Sequence, residues 1–124
     1  EVMRMKLRSI SSAASVVALL GVFASPVAFS ASHGGMLEEG KRLAFDRKLG
    51  NCLTCHMIAG GNASGNLGPP LIAMKARFPD RKVLRAQIWD SNVANPASAM
   101  PPFGRHNILT EKQIDLVTDF ILSL

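Results

Sequence analysis

The sequence predicts an all-α fold of three or four short helices joined by long loops, on three observations. Apolar residues recur at helical spacing in separate stretches, and helix-start signals precede two of them. No segment alternates apolar and polar residues at the period of two that a half-buried strand requires, and no internal repeat is present. The 124 residues, 48% hydrophobic and 19% charged, suit one small domain and exclude a disordered tail, a collagen-like repeat or a disulfide scaffold.

Arg4, Lys6 and Arg8 form a positive segment ahead of a short apolar run over 16–24, and Ala28-Phe29-Ser30 places small residues where a signal peptidase reads them. Residues 1–30 are therefore expected to be a cleaved signal peptide and residues 31–124 the mature domain, exported to the periplasm. The apolar run is shorter than the roughly 20 residues of a spanning helix, so no membrane span is expected after cleavage. The formal charge of +5 falls to +3 over residues 31–124, where eleven Lys and Arg face eight Asp and Glu. No nucleic-acid motif accompanies that mild excess, and no nucleic-acid partner is expected.

His33-Gly34-Gly35 reads as a flexible lead. Met36, Leu37, Gly40, Leu43, Ala44 and Phe45 then keep a helical period with Glu38, Glu39, Lys41 and Arg42 opposite, which predicts a first helix over 36–47. Residues 60–70 hold four glycines, two prolines and two asparagines and read as a loop. A short helix is expected over 71–77. Asp80 is the expected cap of the next helix, whose apolar stripe is Val83, Leu84, Ile88 and Trp89. Residues 92–104, with Pro96, Pro101 and Pro102, are too rich in proline for a regular element. Thr110-Glu111-Lys112-Gln113 is a capping box, opening a last helix with Ile114, Val117, Ile121 and Leu124 on one face. Gly40 and Phe120 stand at matching places on the first and last helices, where a glycine allows close crossing and an aromatic ring fills the contact. So short a domain buries a modest core, and loops this long inside it are uncommon without a task.

Cys52-Leu53-Thr54-Cys55-His56 is the attachment pattern for haem c. Two thiols three residues apart reach the two vinyl groups on one edge of a porphyrin, and the next residue, His56, is carried under the ring centre as an iron ligand. A zinc site needs four ligands, and only His33 and His106 remain outside the motif. A thioredoxin-type pair needs a βαβ context, and a local disulfide would leave a loop-rich domain without a core. The candidate sixth ligand is Met100, in a loop stiffened by Pro101 and Pro102, with His106 as its competitor. Met57 is too close to His56 to reach the opposite face, whereas Met36 and Met74 suit apolar gap-filling. A ligating histidine donates its other N–H to an acceptor, and the Pro69 carbonyl, 13 residues after His56, is the expected one.

Gly40 with Phe45, the 52–56 motif, Gly68-Pro69, Met100-Pro101 and the terminal 110–124 segment together resemble class I cytochromes c, over nearly all of the mature domain. A narrower set of phrases is similar to the SoxX family, the small monohaem subunit of the thiosulfate-oxidising SoxAX cytochrome complex. They are residues 50–56, 65–71, Ile88-Trp89-Asp90, Asn95-Pro96 and residues 100–106. The resemblance implies a class I cytochrome c-like fold around one covalent haem c with His/Met axial ligation. It implies a heterodimer with a larger cytochrome c subunit, whose haem carries the active site. That complex, an L-cysteine S-thiosulfotransferase, oxidatively conjugates thiosulfate to a cysteine of a carrier protein, and the small subunit passes the electrons to another cytochrome. This chain would then not be catalytic alone, because Cys52 and Cys55 are its only cysteines and both are consumed by the haem. The alternative from a different class is a freestanding periplasmic cytochrome c shuttle. Lys75, Arg77, Arg81, Lys82 and Arg85 form either a docking face for an acidic partner or a solvated helix face, and Trp89 is either core or an interface anchor.

Overall fold

The computed structural model describes residues 32–124, and the expected signal peptide lies outside them. Among the described residues every regular element is helical: α1 (His33–Phe45), a 3-10 turn (Cys52–Thr54), α2 (Met74–Arg77), α3 (Arg81–Trp89) and α4 (Glu111–Leu122). This is the all-α class that the helical periods predict. None of these helices is long and apolar enough to cross a membrane.

The N-terminal boundary differs from expectation. α1 starts at His33 rather than Met36, because the Ser32 hydroxyl accepts from Gly35 N at 3.3 Å and the Ser32 carbonyl accepts from Met36 N at 3.1 Å. That cap carries two glycines into the first turn, against their weak helix propensity. α1 stops at Phe45, with Asp46 as its cap rather than Arg47. Met36 is not gap-filling but surface-lying, at 37% exposed. The short helix begins only at Met74, after Ala73 adopts a left-handed φ of 49°.

α4 is the hub. The Thr110–Gln113 capping box is formed in both directions, and Ile114, Val117, Thr118, Phe120 and Ile121 are buried along the helix. The helix ends at Leu122, so Leu124 packs on the core from beyond it. α1 crosses α4 at Gly40, where a side chain would drive into the Leu116 carbonyl and stand 2.8 Å from Phe120 Cβ. Phe45 meets Phe120 edge to face nearby, with centroids 5.9 Å apart. Full burial of Leu43, Ile114 and Val117 stabilises the fold by about 1.5–3 kcal/mol each.

α3 is capped by Asp80, whose side chain accepts from Lys82 N, and it buries Leu84 and Ile88. Val83, expected in that stripe, is instead 56% exposed, because it lies off the Leu84–Ile88 face. Arg81 and Arg85 reach across to α4. Arg81 bonds Asp119 at 2.6 Å and Asp115 at 3.1 Å, and Arg85 bonds Asp115 at 2.8 Å. Two of the five cations over 75–85 therefore hold α3 to α4 rather than waiting for a partner. Trp89 is half-buried, with the Arg85 guanidinium 5.6 Å from its ring centre.

Candidate functional site

The 52–56 motif is tied to the end of α1. Gly50 N donates to Leu43 O at 3.1 Å, and Asn51 N donates to Asp46 O at 2.9 Å. Asn51 then takes a left-handed φ of 48°, a conformation that asparagine tolerates better than most residues, and its side chain accepts from the Thr54 hydroxyl at 2.7 Å. The turn that follows is closed by Cys55 N and His56 N, which both donate to Cys52 O. Both cysteines are half-buried. Burial pushes the Cys52 thiol up to about 11, as its apolar surroundings disfavour the thiolate.

The glycine-rich loop wraps this turn through three backbone bonds: Gly65 N to Leu53 O, Gly68 N to Cys55 O and Leu71 N to Met57 O, at 2.7–2.9 Å. Gly68 lies flat against the His56 ring, and a β-carbon there would stand 2.7 Å from Nδ1. The Pro69 carbonyl is 2.7 Å from that same Nδ1. A carbonyl cannot donate, so Nδ1 carries the proton and Nε2 keeps the lone pair that a metal ion requires.

Cys52, Cys55, His56, Gly68, Pro69 and Met100 all line one cavity of about 670 Å³. Its apolar walls come from α3 and α4, through Leu84, Ile88, Val117 and Ile121. The volume falls in the range of small-molecule and cofactor sites. Two thiols, one imidazole with a free Nε2 and a thioether on an apolar cavity form a donor set that fits haem c. Among the described residues no three His, Cys, Asp or Glu side chains converge as a cation site.

The second thioether on the cavity wall is Met74, 2% exposed, whose sulfur already accepts from Arg77 at 3.3 Å. His106 and Met57 do not line the cavity; His106 is solvent-exposed and Met57 is 54% exposed. Met100 has its backbone fastened on both sides. Its N–H donates to the Ser98 hydroxyl at 3.2 Å, and its carbonyl accepts from Ser91 at 2.9 Å. Arg47 and Arg77 also line the cavity, a role that nothing in their local sequence signals. Arg77 is held by the Pro70 carbonyl at 2.8 Å.

A family model described as "Cytochrome c" matches residues 37–124, which takes in the motif, both loops and all of α2 to α4. No curated protein matches the chain.

Proposed function

The chain belongs to the cytochrome c family, and from that premise we propose that it serves as the electron-accepting monohaem subunit of a thiosulfate-oxidising complex. Haem-based electron transfer follows from the family itself; the observation that carries the reading of the site is the single cavity shared by Cys52, Cys55, His56 and Met100. The proposed axial ligands are His56 through Nε2 and Met100 through sulfur.

The residues act as follows. Cys52 and Cys55 would hold haem covalently, each thiol adding its S–H across one vinyl group so that no atom is lost. The Pro69 carbonyl fixes the His56 ring and raises its basicity. The apolar walls keep water from the site and favour the less charged, reduced state. Haem, when bound, supplies a one-electron iron couple, and a Met/His pair sets its potential above that of a bis-histidine pair. With His56 and Met100 both held on iron, no position would remain there for a substrate. The sequence holds no third cysteine to carry sulfur. The chain accordingly moves electrons and leaves the sulfur chemistry to a larger haem partner.

Two features support a subunit role. Two of the five phrases that resemble the SoxX family, residues 65–71 and 100–106, lie on the two loops that bound the cavity. Leu67, 73% exposed, and Ile108 sit at the lining of the same cavity, an apolar rim that a permanent partner would cover. Export to the periplasm belongs to this reading too, on the strength of residues 1–30.

The test is recovery of the tagged protein from its native periplasm, with haem staining and mass spectrometry. A stoichiometric larger haem protein, active with thiosulfate and a carrier protein, is the expected result. A lone haem-stained band near the size of this chain would replace this reading with the freestanding shuttle. For the axial assignment, Met100→Ala is expected to abolish the sulfur-to-iron charge-transfer band of the oxidised protein and to lower its potential; a surviving band would remove Met100 from the iron.

A further inference from the structure

The loop that carries Met100 is closed at its base and braced at its middle by two serine hydroxyls, that of Ser91 fully buried. At the base, the end of α3 grips both feet of the loop. Gly104 N donates to Trp89 O at 3.0 Å, and Arg105 reaches the Asp90 carboxylate at 3.2 Å. Asp90 is almost fully buried, and its other oxygen accepts from Asn92 N at 3.1 Å on the near foot. Asn92 extends this hold, with its side-chain amide donating to Pro96 O and Ser98 O at 3.4 and 3.3 Å.

Between these feet stands Ser91, 0% exposed, with its hydroxyl 2.9 Å from the Met100 carbonyl. A serine directly after a helix end commonly turns back to its own backbone. This one reaches across the loop, nine residues on, to a methionine that lines the cavity. We propose that Ser91 is the positioning residue for Met100, holding the methionine backbone so that its sulfur competes successfully for the sixth position on iron. The inference rests on the Met100 assignment above and deepens it.

The physical argument concerns competition. A thioether is a weak ligand, held on iron largely because the chain presents it with little freedom left to lose. Ser91 removes that freedom from one side of the Met100 backbone, and the Ser98 hydroxyl, accepting from Met100 N, removes it from the other. Without the Ser91 hydroxyl the Met100 carbonyl loses its donor, and the loop gains conformations in which the sulfur is withdrawn.

The test uses the haem-loaded full chain and imidazole as the competing ligand. Ser91→Ala is expected to bind imidazole about tenfold more tightly than wild type, equivalent to about 1.4 kcal/mol. Its charge-transfer band should also fade at a lower temperature. Ser91→Thr, which keeps the hydroxyl, is expected to return imidazole affinity toward wild type. Thr118→Val removes another fully buried hydroxyl, bonded to Ile114 O on α4 and away from the cavity lining. It should lower stability and leave imidazole affinity unchanged. If Thr118→Val shifts the affinity as much as Ser91→Ala, the effect is global softening and the proposal fails. An affinity for Ser91→Ala within twofold of wild type overturns it as well. Should Ser91→Ala not fold, Ser98→Ala reads the same brace from the other side, and unchanged imidazole binding there counts against the proposal. Met100→Ala separates the two levels: if its band persists the axial assignment is lost, whereas a lost band with unresponsive serine variants overturns Ser91 alone.

Discussion

Gly68→Ala asks whether the histidine is held from below as tightly as the backbone indicates. The new methyl would press first on His56 Cε1 and stand 2.7 Å from Nδ1, against an ordinary contact of about 3.5 Å, so the ring must retreat by at least about 0.8 Å. The bond from Nδ1 to Pro69 O is 2.7 Å, and the same retreat directed away from the loop takes it to about 3.5 Å, the edge of any hydrogen bond. Overpacking of this kind costs about 1–3 kcal/mol and the lost hydrogen bond about 1 kcal/mol. The loop has little room to yield instead, because Gly68 N is itself bonded to Cys55 O at 2.8 Å. Urea unfolding of the haem-loaded protein should therefore show a loss of about 2–4 kcal/mol. Voltammetry should show a raised potential, since a histidine without its acceptor is less basic and supports oxidised iron less well. A variant with wild-type stability and potential would refute the reasoning, showing that loop and ring move together at no cost.

Gly40→Ala places a methyl against the Leu116 backbone, which cannot swing aside as a side chain can, so α1 and α4 must part; a destabilisation of about 2–3 kcal/mol is expected in denaturant titrations. Thr110→Ala breaks the capping box and should cost about 1 kcal/mol, lowering Tm by about 4–8 °C in calorimetry. The Asp115 carboxyl is held below the usual carboxylate range, first by its hydrogen bond from Arg85 and then by that from Arg81. Its contribution is complete above the unfolded value of about 3.9 and is lost as pH falls through the lower folded value. Asp115→Asn should therefore flatten the acid limb of a stability–pH curve below about pH 4 and leave its slope above pH 5 unchanged. Because Asp115 is 42% exposed, the effect is small and shrinks further in salt.

What the sequence disclosed is what short-range chemistry determines. The Thr110 and Asp80 caps and the apolar stripe of α4 act within a few residues, and each stands where its pattern points. The 52–56 motif is equally local. The misreadings have longer-range causes. Arg81 and Arg85 look like free cations because their carboxylate partners lie 26 to 38 residues away. Val83 shares a helical period with Leu84 and Ile88 but falls outside the face that α4 covers. Ser32 sits before two glycines that conceal the start of α1. Ser91 is one serine among several until the loop folds back and brings the Met100 carbonyl to it.

The crossing of α1 and α4 also sets a timetable. The first described helix buries its glycine face only against the last, so nothing made in between can complete the core. A contact between α1 and α4 must close a long loop, which slows folding relative to a core built from neighbouring segments. Until the residues of α4 have arrived, the segment holding Cys52 and Cys55 lacks its apolar wall of Val117 and Ile121. The two thiols thus gain their apolar surroundings only when α4 docks, and a variant that loosens the α1–α4 crossing should leave them more exposed as well.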